Sequence, residues 1–180
     1  MTEAGPRISF LPPGLFDRCP ASVGRPFPGV ELRIESGALL VRSPGVCAGY
    51  YNAPTRSADG WLHTGDGAEM RGGLLYIRGR MDDLMIRGGM NIYPQEIENA
   101  LLEDERVQAA CAFARPKATV GDQVCLLLES GALTRAEAFA LCRDRLPPYQ
   151  MPDVIAVVPE LPRTVSGKLR RREAVALLAE

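Results

Sequence analysis

Residues 1–80 hold no stretch with the apolar spacing of a helix, whereas the rest of the chain alternates strand-like and helix-spaced runs. This asymmetry predicts a β-rich unit followed by a small α+β unit, with the change of character at Met81-Asp82-Asp83. We therefore expect one domain over 1–81 and a second over 82–180, joined by a short polar hinge. In the first part Val30–Ile34 and Ala38–Val41 flank Ser36-Gly37 as a hairpin. Leu74–Arg78 is a strand approached through a turn at Gly72-Gly73. In the second, Pro94 sits at a first helical position and Ile97, Ala100 and Leu101 share one face. Val107–Ala114 and Gln123–Glu129 read as strands, with Gly121-Asp122 as a break between them. Thr134 and Glu137 have capping-box spacing ahead of a helix face formed by Ala138, Leu141 and Cys142, which Pro147-Pro148 ends. Asp153–Val158 is a further strand, and a short helix over Leu169–Leu178 follows.

Composition narrows the class. Of 180 residues, 46% are apolar and 24% charged, with a formal net charge of −1, which suits a globular protein and gives no global attraction to nucleic acid or an anionic membrane. No apolar run approaches the roughly 20 residues of a membrane-spanning helix, and the start carries no apolar signal core. The five cysteines stand singly without CxxC spacing, so they are expected to be reduced thiols in a cytoplasm, most of them small core residues.

Three stretches carry chemistry: Gly60-Trp61-Leu62-His63-Thr64-Gly65-Asp66, Gly79-Arg80-Met81-Asp82-Asp83, and Pro162-Arg163-Thr164-Val165-Ser166-Gly167-Lys168. Thr64-Gly65-Asp66 reads as a turn presenting a carboxylate, which either caps that turn or accepts hydrogen bonds from the hydroxyls of a ribose. Arg80 offers a guanidinium to ribose or phosphate oxygens, and Gly88-Gly89 gives either an ordinary turn or a close backbone approach. Lys168 supplies a compact cation on a long stem, suited to charge that shifts between a carboxylate and a phosphate. His63, the only histidine, lacks a nucleophile elbow and is expected to be structural. The acidic residues of Glu96-Ile97-Glu98 suit the positive end of a helix dipole, and Arg170-Arg171-Arg172 reads as a solvated helix face.

Taken in order, these stretches resemble the adenylate-forming enzymes: acyl- and aryl-CoA ligases, luciferases and peptide-synthetase adenylation domains. The resemblance implies a large AMP-binding domain ending near residue 81, then a mobile lid that turns about a hinge at Asp82. It implies that Asp66 and Arg80 hold the ribose of ATP or AMP, that Lys168 acts in adenylation, and that Gly88 and Gly89 face the pantetheine of coenzyme A after rotation. Met1-Thr2-Glu3 is similar to the tail of the family's aromatic-Gly-x-Thr-Glu stretch, so Thr2 would meet the adenylate and Glu3 would help to hold Mg²⁺, although a frayed terminus would aim them poorly. The sequence has no upstream Ser/Thr/Gly-rich phosphate loop, so it matches only the back part of such an enzyme. The implied partners are a carboxylic acid, ATP, CoA and a complementing N-terminal fragment, and the chain alone is expected not to adenylate at a useful rate. Gly-Trp-Leu-His-Thr-Gly-Asp is more similar to the CoA ligases than to adenylation domains that serve a carrier protein. That second class, and a truncated non-catalytic interaction module, are the alternatives.

Overall fold

The computed structural model describes residues 2–52, 59–117 and 121–178. Internal contacts divide the chain into two compact units, Met1–Asp82 and Asp83–Glu180.

Unit 1 is built from hairpins. Short strands β1 (Ser9–Phe10) and β2 (Arg25–Pro26) pair with each other, and β3 (Glu31–Glu35), β4 (Ala38–Arg42), β5 (Leu62–Arg71) and β6 (Leu74–Arg80) form an antiparallel sheet in sequence order. Both tight turns follow from their residues. Ser36 and Gly37 adopt φ of 49° and 83°, and Gly72 and Gly73 adopt 57° and 76°, the paired positive values of a two-residue turn that continues the strand twist. Alternate side chains of the sheet then meet in one core of Leu39, Val41, Leu62, Ala68 and Leu75, closed by Ala4.

Unit 2 contains β7 (Met85–Arg87), β8 (Met90–Ile92), α1 (Pro94–Leu101), β9 (Ala109–Lys117), β10 (Gly121–Glu129), α2 (Arg135–Arg145), β11 (Val154–Val158) and α3 (Arg171–Ala176). Strand β10 is its centre: antiparallel to β9 along its whole length, parallel to β11, and touching β7 at Gly121↔Arg87. Its side chains alternate between two cores. Val124, Leu126 and Leu128 join Ile97 and Leu101 of α1 and Ala138, Leu141 and Cys142 of α2. Cys125 and Leu127 join Cys111 and Phe113 of β9, Leu161 and Ala174 of α3. A strand buried on both faces reads as a continuous apolar run, as Val124–Leu128 does. The capping box forms in full: Thr134 Oγ1 accepts from Glu137 N–H, and the Glu137 carboxylate accepts from Thr134 N–H at 2.8 Å.

Two local expectations change, and a third segment takes one of the two forms expected of it, an ordinary turn between strands. Gly121-Asp122 is the first step of β10 rather than a break, because Gly121 pairs with both Lys117 and Arg87 and lies so close to the Ile86 carbonyl that only a glycine fits. The C-terminal helix covers only Arg171–Ala176, since Leu169 is taken by a bridge to Arg163. Strands β7 and β8 form a further hairpin around Gly88-Gly89 (φ 56° and 78°), with both glycines exposed. Among the described residues no helix is long and apolar enough to cross a membrane.

Candidate functional site

In unit 1 the site residues lie at an interruption of the sheet. The pairing of β4 with β5 jumps from Leu40↔His63 to Ala38↔Gly67, so Thr64, Gly65 and Asp66 together face the single residue Leu39. Thr64-Gly65-Asp66 is thus an expanded bulge within a ten-residue strand, not the turn expected from sequence. Thr64 fills the broken ladder: its hydroxyl donates to Leu39 C=O at 2.9 Å and accepts from Asp66 N–H at 3.0 Å. Gly65 takes φ +73°, and a Cβ there would come within 2.6 Å of Arg80 Nη2. The guanidinium therefore lies against the glycine.

From the neighbouring strand, Arg80 stands opposite Asp66. Its Nη1 donates to Asp66 Oδ1 at 2.9 Å and to Thr64 C=O at 3.0 Å, and its Nη2 is 3.7 Å from Asp82 Oδ2. The bulge thus brings together Asp66, Arg80 and Asp82, three of the residues singled out by sequence. Asp66 is largely enclosed (side chain 19% exposed), whereas Arg80 is half exposed and Asp82 stands open in a 3-10 turn over Met81–Asp83. Asp82 is also the last residue of unit 1.

Thr2 and Glu3 lie in a 3-10 turn that is pinned rather than frayed. Cys47 N–H donates to Glu3 C=O at 2.8 Å, Tyr50 Oη donates to the Glu3 carboxylate at 2.5 Å, and Ala4 is buried in the core. His63 is exposed on β5 and packs into no core. Among the described residues no group of three or more His, Cys, Asp or Glu side chains is arranged to hold a metal ion.

In unit 2, Lys168 is exposed at the end of a loop closed by its own backbone. Thr164 N–H donates to Lys168 C=O at 2.8 Å, Gly167 N–H to Thr164 C=O at 2.8 Å, Lys168 N–H to Thr164 Oγ1 at 3.1 Å, and Arg170 N–H to Pro162 C=O at 2.8 Å. Thr164 and Gly167 (φ +83°) thereby set the conformation from which the lysine projects.

Two sequence expectations fail here. Arg171 does not sit on a solvated face: it turns inward and donates to Glu98 Oε1 at 2.6 Å, while Arg170 makes the surface pair, with Glu173. Burial opposes the charge on Arg171, but the hydrogen bond and charge of Glu98, with Cys111 and Asp83 nearby, hold its pKa above the ordinary arginine value. Glu98 is a buried carboxylate bound to Ala112 N–H and Arg171, so more than a helix dipole explains it. Glu96, two residues earlier, accepts from Gln150 Nε2 at 2.9 Å. No local periodicity reports these pairs, whose members lie 54 and 73 residues apart along the chain. Cys111 and Cys142 are buried, which pushes both thiols up to about 11, and Cys125 is raised for the same reason, whereas Cys19 and Cys47 are partly exposed.

Residues 96–168, from α1 to Lys168, match the AMP-binding enzyme C-terminal domain. Residues 96–168 thus belong to the C-terminal domain family of AMP-binding enzymes, and the chain as a whole matches the C-terminal portion of adenylate-forming enzymes. It is 38% identical to a long-chain-fatty-acid–CoA ligase of Bacillus subtilis over 85% of this chain and 31% of that protein. It is 36% identical to a 2-succinylbenzoate–CoA ligase of Bacillus cytotoxicus over 100% of this chain and 41% of that protein. Among solved structures, the o-succinylbenzoate CoA synthetase of Bacillus subtilis in complex with ATP and magnesium ion matches with a TM-score of 0.88 and 31% identity, covering 97% of this chain and 40% of its own. The chain thus spans 31% to 41% of the length of these curated relatives.

Proposed function

We propose that the chain serves as the C-terminal part of an ATP-dependent acid–CoA ligase. The observation that carries this reading is the match to acid–CoA ligases along the full length of the chain. In the first half-reaction a carboxylate oxygen attacks the α-phosphorus of ATP, and the bond to pyrophosphate breaks, leaving an acyl-adenylate. In the second, the thiol of CoA loses its proton and attacks the acyl carbon, and AMP leaves.

Each site residue has a part in that scheme. The Lys168 ammonium, exposed on a loop of fixed backbone, offsets negative charge at the α-phosphorus and its oxygens as the acid attacks. Asp66 accepts from ribose hydroxyls with the carboxylate that Arg80 and the bulge orient, and Arg80 adds donors to the ribose or phosphate. Thr2 contacts the adenylate. Glu3 fits Mg²⁺ as a single carboxylate ligand, since that ion is commonly held by one or two carboxylates together with phosphates and water; bound there, the ion would neutralise phosphate charge. Asp82, exposed in its 3-10 turn, is the hinge, and the Gly88-Gly89 turn, with no side chains to obstruct approach, faces pantetheine in the second half-reaction. The enzyme works in the cytoplasm, with its thiols reduced.

Three polar groups enclose little of a nucleotide, so the chain by itself is expected to be inactive and to need a complementing N-terminal fragment. The test is ATP–pyrophosphate exchange over a panel of fatty, aryl and amino acids, with the chain alone and with the N-terminal region of a related ligase. Exchange seen only in the mixture, and abolished by Lys168→Ala, supports the proposal. Exchange in the mixture that persists in Lys168→Ala removes the role given to the lysine. A folded mixture with no exchange favours the non-catalytic module.

A further inference from the structure

Strand β9 pairs only with β10 among the described strands, so its outer edge presents backbone groups without a ladder partner. At Ala112 those groups are taken by helices on opposite faces of the sheet. Glu98 of α1 accepts from Ala112 N–H at 2.8 Å, and Arg171 of α3 donates to Ala112 C=O. The two side chains also join each other, Nη1 to Oε1 at 2.6 Å and Nη2 to Oε2 at 3.3 Å, a fork against a fork. The same guanidinium lies 3.6 Å from Cys111 Sγ and 3.8 Å from Asp83 Oδ2. This clasp fixes the start of α3, three residues beyond Lys168.

The other end of the Lys168 loop is held by a second buried carboxylate. Glu129, at the end of β10, accepts from Leu161 N–H at 2.9 Å and from Arg163 Nη2 at 3.0 Å with the same oxygen. Glu98 and Glu129 are the two acidic side chains buried among the described residues of unit 2. Burying a carboxylate is costly unless it is paired and hydrogen-bonded. Both burials serve the same nine-residue stretch, 162–170, one at each end.

We propose that Glu98 and Glu129 are positioning residues for Lys168. Through Arg171 and Arg163 they clamp the two ends of its loop to the β9–β10 sheet, so that Lys168 moves as part of unit 2 with only its side chain free. This inference rests on the role proposed above for Lys168, but its test does not.

The test is amide hydrogen exchange on the full chain, comparing wild type with Glu98→Gln, Glu129→Gln and the double variant. Glutamine keeps an acceptor for Ala112 N–H or Leu161 N–H and removes only the charge that holds the arginine. Exchange at Gly167, Lys168 and Arg170 is expected to rise about tenfold in each single variant and further in the double, while Leu126–Leu128 keep their protection. Arg171→Leu is expected to loosen the same amides, and Arg171→Lys, which keeps the charge but loses the fork, to restore part of the protection. Wild-type exchange in the loop of the glutamine variants overturns the proposal. So does a rise shared equally by Leu126–Leu128, which marks general stabilisation rather than positioning. If pyrophosphate exchange proves independent of Lys168, the catalytic reading falls while the clamp stands or falls by these amides alone.

Discussion

Gly65→Ala tests whether the bulge in β5 aims the Arg80 guanidinium. The residue holds φ +73°, where a Cβ costs roughly 1–2 kcal/mol, and the stiffer unfolded chain offsets about 0.4–1 kcal/mol of that. The new methyl also falls 2.6 Å from Arg80 Nη2 and 3.1 Å from Cζ, so the guanidinium must swing away from Asp66 and Thr64. Because Arg80 is half exposed, that pair adds only about 0.2–1 kcal/mol after solvent screening. The expected loss is therefore about 1–2 kcal/mol, a fall of about 4–16 °C in the unfolding transition of a unit this small. Gly72→Ala is the control: it carries comparable strain at φ +57° but meets no atom within 4 Å. Calorimetry should find both variants destabilised, whereas arginine side-chain NMR should find the Arg80 N–H signals shifted only in Gly65→Ala. A Gly65→Ala protein as stable as wild type would refute the strain argument. Unmoved Arg80 signals would refute the contact and, with it, the claim that the bulge aims the guanidinium.

Two further outcomes follow from the thiols and the capping box. Under native conditions at pH 8, mass spectrometry should find Cys19 and Cys47 alkylated well before Cys111, Cys125 and Cys142, whose burial disfavours the thiolate; equal rates would contradict the packing of β9, β10 and α2. The hydrogen bonds from Thr134 hold the Glu137 pKa below its ordinary 4.5, so this carboxylate supports the fold above that value and ceases to do so as pH falls through its lowered pKa. Thr134→Ala should therefore flatten the acid limb of a stability-against-pH profile below about pH 4.5, and an unchanged limb would exclude the capping box as its source.

How much of this was readable in the sequence depended on how far apart the interacting groups lie. The turns at Ser36-Gly37 and Gly72-Gly73 and the box at Thr134–Glu137 each complete their hydrogen bonds within a few residues, and each was legible. Thr64-Gly65-Asp66 was legible as a carboxylate on a tight backbone but not as a bulge, because a glycine between polar residues signals a turn unless the strand continues on both sides. Leu62 and Ala68, both in the core, are the residues that carried that continuity. The pairing of Arg80 with Asp66 was hidden for a related reason: the register that sets them opposite depends on the turn at Gly72-Gly73 and on a second irregularity at Gly67/Ala68.

The clamp on the Lys168 loop was illegible on different grounds. In the sequence, Glu98 has the helix-favouring neighbours of any surface glutamate, and Arg171 stands within three arginines, two of which are exposed. Their pairing spans 73 residues, and that of Arg163 with Glu129 spans 34, so no local periodicity reports either one. A local cue does exist at Glu129: it closes the apolar run of β10, where a charge must find a partner or leave the sheet. Helix α1 offers a similar cue, because Ile97 and Leu101 lie one helical turn apart and set the buried face against which Glu98 lies. A carboxylate next to a core face, with an open strand edge within reach, is better assigned to a cation distant in sequence than to solvent. In this chain Glu98 and Glu129 both lead, through Arg171 and Arg163, to the same lysine-bearing loop, so in the proposed clamp the buried acids, more than the exposed lysine, set the backbone from which Lys168 projects.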